Sequence, residues 1–186
     1  MPKPKDAKQQ ACAPSSLILA CYFAPVRQAS ELQESMNESE KKIVENIDNF
    51  DCHVTSVFDP NGVEPNFTYS TGLTKTLGVP ELIVVGLSPE LGHSIVNNYR
   101  DRVKAGEVFT NKEFYSDFLE GFDVTFDSVS DENKKEFLLS SVWFYEEEFE
   151  AIQLIYPTTT GVWPWDPDAS ESFQKLQPSL SGTGAW

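Results

Sequence analysis

The side chains best able to do chemistry lie between Phe67 and Asp166. They are the hydroxyls of Thr68, Tyr69, Ser70 and Thr71, the carboxyl of Glu81 behind Pro80, the imidazole of His93, and the run Trp163-Pro164-Trp165-Asp166. Hydroxyls can hold a phosphate or another hydroxyl, indoles offer a stacking face, and an imidazole can move a proton near neutral pH. Tyr69, Ser70, Thr71, Glu81, His93, Trp163, Trp165 and Asp166 are therefore the candidate ligand-binding residues. They do not spell a catalytic set. Only His53 and His93 stand beside three unclustered cysteines, Cys12, Cys21 and Cys52, so no metal-ligand spacing is present. A Gly-x-Ser-x-Gly elbow and the Gly-rich loops of nucleotide sites are also missing. Each candidate has a purely structural reading too. A buried Glu81 would pair with a donor, and the Trp-Pro-Trp-Asp run would act as a hydrophobic clasp, with Asp166 bonding the backbone two residues on.

The elements that must position these residues follow from period and punctuation. Ile43, Val44, Ile47 and Phe50 recur at helical spacing, with Ser39 as N-cap. Cys52 to Phe58 alternates, and Asp59-Pro60-Asn61-Gly62 turns the chain toward a second strand, Phe67 to Leu73. In that strand Phe67, Tyr69, Thr71 and Leu73 share one face, and Gly72 leaves room for close backbone approach. Leu82 to Leu87 is continuously apolar, as in a strand covered on both faces. Ser88-Pro89-Glu90 opens a helix that stops at Gly106, with Leu91, Ile95, Val96, Tyr99 and Val103 as its stripe and His93, Asn97 and Arg100 aligned away from it. Strands are expected at 108–115 and 122–129, a short helix or turn at 131–137, a second amphipathic helix at 137–148, and a strand at 151–156. Residues 1–37 read as a flexible leader, 38–168 as the globular domain, and 169–186 as a frayed polar tail. The expected fold is one α+β domain with a mostly antiparallel sheet, split-barrel-like as one option, and two or three packed helices.

The net charge of −15 argues against nucleic acid and anionic membranes as partners, since both would be repelled. The window from Glu113 to Glu150 holds twelve acidic residues against Lys134 and Lys135, interleaved with aromatics such as Phe118, Phe126, Trp143 and Tyr145. That pattern suggests an apolar face beneath an acidic one, with Glu146, Glu147 and Glu148 as candidate contacts for a basic protein partner. An odd cysteine count without a C-x-x-C pair fits a reducing cytoplasm. Lys3, Lys5 and Lys8 ahead of Leu17 to Cys21 faintly resemble a lipoprotein signal, but Pro14 interrupts the run and Leu19 fits it poorly.

The chain resembles an uncharacterised, mainly bacterial family, domain of unknown function 4262. The resemblance rests on Phe67, Tyr69, Gly72 and Leu73; on Pro80, Glu81, Leu82, Gly86 and Leu87; on His93 and Gly106; and on Gln153, Leu154, Pro157, Gly161, Pro164, Trp165 and Asp166. It runs from about Lys41 to Asp168. Ser70-Thr71, Thr158 and the Cys52-His53 region depart from the family pattern. The resemblance supports the fold and implies no chemistry.

Two functional expectations follow. The first is an acidic binding protein without a cofactor, immunity-like or inhibitor-like toward a basic partner. The alternative is a small-molecule domain of split-barrel type, in which Thr68, Ser70 and Thr71 hold the phosphate of FMN, Trp163 or Trp165 stacks on it, and the activity is oxidoreductive.

Overall fold

The computed structural model describes residues 36–146, 148–183 and 186. The leader expected over 1–37 lies almost wholly outside the described residues. The first described element, α1 (Glu38–Phe50), is capped by Asn37 rather than Ser39: its side chain accepts from the Glu40 amide at 2.9 Å, and the Glu40 carboxylate accepts from the Asn37 amide at 2.7 Å. Ile43 and Ile47 are its buried face, and Phe50 is exposed.

The alternating segments form β1 (His53–Val57) and β2 (Phe67–Thr71), paired antiparallel. Asp59 sets the turn between them, accepting from the amides of Asn61, Val63 and Glu64. β2 ends two residues earlier than its alternation suggests. Gly72, at φ +117°, turns the chain into a short helix, α2 (Leu73–Leu77), so Leu73 packs on the opposite side of the sheet from Tyr69. A Cβ on Gly72 would lie 2.7 Å from Ile47 Cγ1, which gives the expected close approach its partner, α1.

β3 (Glu81–Val85) is buried at every position, and Ser88 caps α3 (Pro89–Lys104). The buried side of α3 uses Gly92, Ile95, Val96 and Tyr99, whereas Leu91 is exposed. A Cβ on Gly92 would meet Thr68 Oγ1 at 2.6 Å, so the missing side chain lets α3 lie directly on β2. Further on come β4 (Phe114–Leu119), β5 (Phe122–Ser128), α4 (Asp131–Phe137), α5 (Leu139–Tyr145), β6 (Ala151–Ile155) and α6 (Glu171–Leu176). The strand expected at 108–115 starts at Phe114 instead, and an irregularity between Tyr115 and Leu119 holds Asp117 at φ +69°.

The strand order is β1-β2-β3-β6-β5-β4, with β3·β6 the parallel pair and all other neighbours antiparallel. This is an α+β domain on a mostly antiparallel sheet, and the sheet is open. One face carries Leu82, Val84, Phe126 and Leu154 under α3; the other carries Tyr69, Ile83, Val85 and Ala151 under α4, α5 and Leu180. No helix among the described residues is long and apolar enough to cross a membrane.

The frayed tail expected after residue 168 is a correction. Gln177 is buried, its Oε1 accepting from the Tyr156 amide and its Nε2 donating to the Tyr156 carbonyl. Gln153 on β6 does the same for the neighbouring segment, donating to the Pro178 carbonyl and accepting from the Leu180 amide. Two side-chain amides thus supply backbone-like bonds that pin residues 177–180 to the sheet. A composition rich in Ser and Gly does not reveal that.

Candidate functional site

The polar residues singled out on β2 and β3 do converge, but on one another. Glu81 is fully buried, and its carboxylate receives four donors: Ser70 Oγ at 2.5 Å, the amides of Gly72 at 3.0 Å and Thr74 at 3.1 Å, and the Tyr145 hydroxyl. Burial pushes the Glu81 carboxyl above the ordinary range, against the pull of these four donors. Burial, and then the neighbouring Glu81, push the Tyr145 phenol up as well. Thr71 Oγ1 meets Ser141 Oγ at 2.8 Å, Ser141 Oγ donates to the Ser70 carbonyl, and Tyr69 shares hydrogen bonds with Ser140. Ser70 Oγ also accepts from the Leu82 amide, and Thr68 Oγ1 meets Ser56 Oγ at 3.0 Å. These hydroxyls are spent inside the protein. The arrangement ties α2 and α5 to the start of β3.

His93 stands on the exposed flank of α3. Its Nδ1 is 2.8 Å from Asn97 Nδ2, and Arg100 donates to Asn97 Oδ1 at 2.8 Å, so the aligned trio is a hydrogen-bonded row. Cys52 is buried beside Arg100, and burial pushes its thiol up to about 11. No group of His, Cys, Asp and Glu suited to a metal ion occurs among the described residues. Glu146 and Glu148 are exposed and line a shallow cleft together with Lys134 and Lys135. Lys134 itself donates to the Phe149 carbonyl and pairs with Asp131 at 2.7 Å. Glu147 lies outside the described residues.

The aromatic clasp leads to a different place. Trp163 and Trp165 stack with centroids 4.9 Å apart and planes 9° from parallel, and Phe114 meets Trp163 edge-on at 5.1 Å. Asp166 holds the turn by accepting from the Trp163 amide at 2.7 Å, so its partner lies three residues back rather than two on. Gln174 of α6 donates to the Pro164 carbonyl. Trp186, its Nε1 donating to the Gln177 carbonyl, approaches Trp165 at 6.1 Å and 59°.

Between these rings and the sheet is a cavity of about 470 Å³. Thr125 and Asp127 of β5 and Ile155 of β6 form its sheet side; Phe114, Trp165 and Trp186 are its aromatic walls. Phe126, Lys112, Ser179, Ser181 and Thr183 complete the lining. Thr125 is 3 % exposed, and its Oγ1 has no hydrogen-bond partner among the described residues. A buried hydroxyl left unpaired costs on the order of 1–3 kcal/mol, so its persistence beside open space calls for an explanation. Of the candidate ligand-binding residues named from sequence, Trp165 alone lines this cavity, while Trp163 and Asp166 hold Trp165 in place. Thr125, Asp127 and the C-terminal set Ser179, Ser181, Thr183 and Trp186 were missed. A signal for the last was present in Leu176, Leu180 and Trp186, large apolar residues in an otherwise polar stretch.

The family model described as domain of unknown function (DUF4262) matches residues 46–170, and the chain belongs to that family. No curated protein and no solved structure matches the chain.

Proposed function

We propose that this domain binds a small molecule in the cavity between the β4–β5–β6 face and the aromatic clasp. The observation that carries the proposal is an aromatic-lined space of ligand size whose sheet wall holds Thr125, a buried residue with no hydroxyl partner among the described residues. The site has the usual make-up of such pockets, apolar rings with a few convergent polar groups. A thermal-shift screen of small molecules against the wild type and Trp165→Ala tests it. Compounds should raise the melting temperature of the wild type and lose that effect in the variant. Hits that ignore the substitution, or a screen without hits, would sink the proposal. Flavin is one ligand this reading admits, and titration with FMN reads it directly.

A second reading keeps a basic protein as partner and is favoured by the exposed carboxylates of Asp117, Glu120 and Asp123 around the β4–β5 turn. Its signature is salt-sensitive capture that weakens when these three become amides. Their location suits that role better than Glu146 and Glu148, which share their cleft with two lysines.

A further inference from the structure

We infer that the cavity takes a neutral polyhydroxylated ring, a ligand of mono- or disaccharide size. The ring's C–H face would lie against the Trp165 indole and its hydroxyl edge toward Thr125. The inference rests on the small-molecule reading above and narrows it.

The first support is the pairing of surfaces. Trp165 is 40 % exposed, yet it is held rigidly by its stack on Trp163 and the Asp166 turn. A sugar ring presents a C–H face that packs on an indole while its hydroxyls point outward from the rim. The polar lining matches such a rim. Ser179 Oγ and Ser181 Oγ lie 3.0 Å apart, and Ser181 Oγ and Thr183 Oγ1 also 3.0 Å, forming a row of hydroxyls. Each hydroxyl can donate or accept, as a sugar hydroxyl can, and the Thr125 hydroxyl still lacks a partner. Lys112 adds a donor and Asp127 an acceptor.

The second support is what the lining disfavours. An anionic ligand would find Lys112 as the one ammonium of the lining, opposed by Asp127 and by a chain of net charge −15. A quaternary ammonium ligand would suit the rings but would face the Lys112 ammonium. A purely aromatic hydrocarbon would desolvate Lys112, Asp127, Ser179, Ser181 and Thr183 for nothing in return. The volume, about 470 Å³, falls in the range of roughly 300–1,000 Å³ common for ligand sites.

Tryptophan fluorescence and calorimetric titration of the full chain test this, with glucose, galactose, mannose, N-acetylglucosamine, maltose and cellobiose in one arm. FMN, adenosine and choline form the other arm. The expected result is saturable binding of at least one sugar, weakened about tenfold or more in Trp165→Ala and roughly three- to tenfold in Thr125→Val. Trp165→Phe, which keeps a ring, guards against a folding defect in the alanine variant and should retain most of the affinity. Binding of FMN, adenosine or choline through Trp165, with no sugar bound, would overturn the sugar assignment and leave the cavity as a site. Sugar binding indifferent to both Trp165→Ala and Thr125→Val would overturn it by placing the ligand elsewhere. Silence in both arms would overturn the assignment and the small-molecule reading together.

Discussion

Two polar centres of this molecule look alike in composition and differ in arrangement and burial. Around Glu81, a carboxylate, two hydroxyls and two amides satisfy one another without remainder. Around Thr125, a hydroxyl, a carboxylate and the Ser179–Ser181–Thr183 row border open space, and the Thr125 hydroxyl has no partner among the described residues. The first arrangement is closed and can only hold elements together. The second has capacity in reserve, and a protein that keeps a buried hydroxyl unpaired gives up stability that a ligand can restore.

The largest effect should come from breaking the closed centre. Glu81→Ala would strand four donors in the interior, at the junction of β2, α2, β3 and α5. Removing one partner from such a buried network costs on the order of 3–5 kcal/mol, a large share of the stability of a domain this size. Urea denaturation of the variant measures it. Loss of less than about 1 kcal/mol would show that the donors find other partners, and the contrast between the two centres would fail. So would a variant that kept its stability but lost ligand binding.

That contrast was only half legible in the sequence. The strands, the long helix and the turn at Asp59 to Gly62 could be read because their signals are local: alternation from Phe67, the cap-proline-acid start at Ser88, the apolar run from Leu82; the end of β2 at Gly72 could not. The family motif added their order. What could not be read depends on partners far along the chain. Tyr145 reaches Glu81 across 64 residues, and Gln153 fixes Leu180 across 27. Without those contacts, Ser70 and Thr71 look like a ligand's hydroxyls and residues 169–186 look loose. The acidic window showed the same limit. Its interleaved aromatics place Phe118 and Phe126 in the core, as expected, while Phe114 is left exposed at the cavity, and nothing local distinguishes them.

Cys52 is an intermediate case, a buried group that costs nothing while neutral. Its thiol is raised from 9.0 to about 11. The unfolded chain therefore loses this proton first as pH rises, and the folded state loses stability between those two values. A shift of this size corresponds to roughly 2–3 kcal/mol, fully expressed above pH 11 and absent below pH 9. Comparing wild type with Cys52→Ala isolates it, because tyrosines and lysines titrate in both. The stability difference between the two should be constant from pH 7 to 8.5 and should then move in favour of the variant. A difference that stays flat to pH 11 would mean that the Arg100 guanidinium beside the thiol holds the thiolate better than burial penalises it.

The smallest effect is the most discriminating, because its sign differs from the usual one. Thr125→Val replaces an unpaired buried hydroxyl by a methyl of nearly the same shape. If the hydroxyl has no work in the free protein, the variant should be more stable by about 1 kcal/mol, with a melting temperature higher by a few degrees. The same substitution should weaken the ligand, so stability and affinity move in opposite directions. Thr125→Ser separates the two contributions: it keeps the hydroxyl and removes a buried methyl, so stability should fall by about 1 kcal/mol while binding survives. A valine variant less stable than the wild type would mean that the hydroxyl is already paired through water in the free protein. The cavity would then belong with the closed centre at Glu81, and the reason for placing a ligand there would be gone.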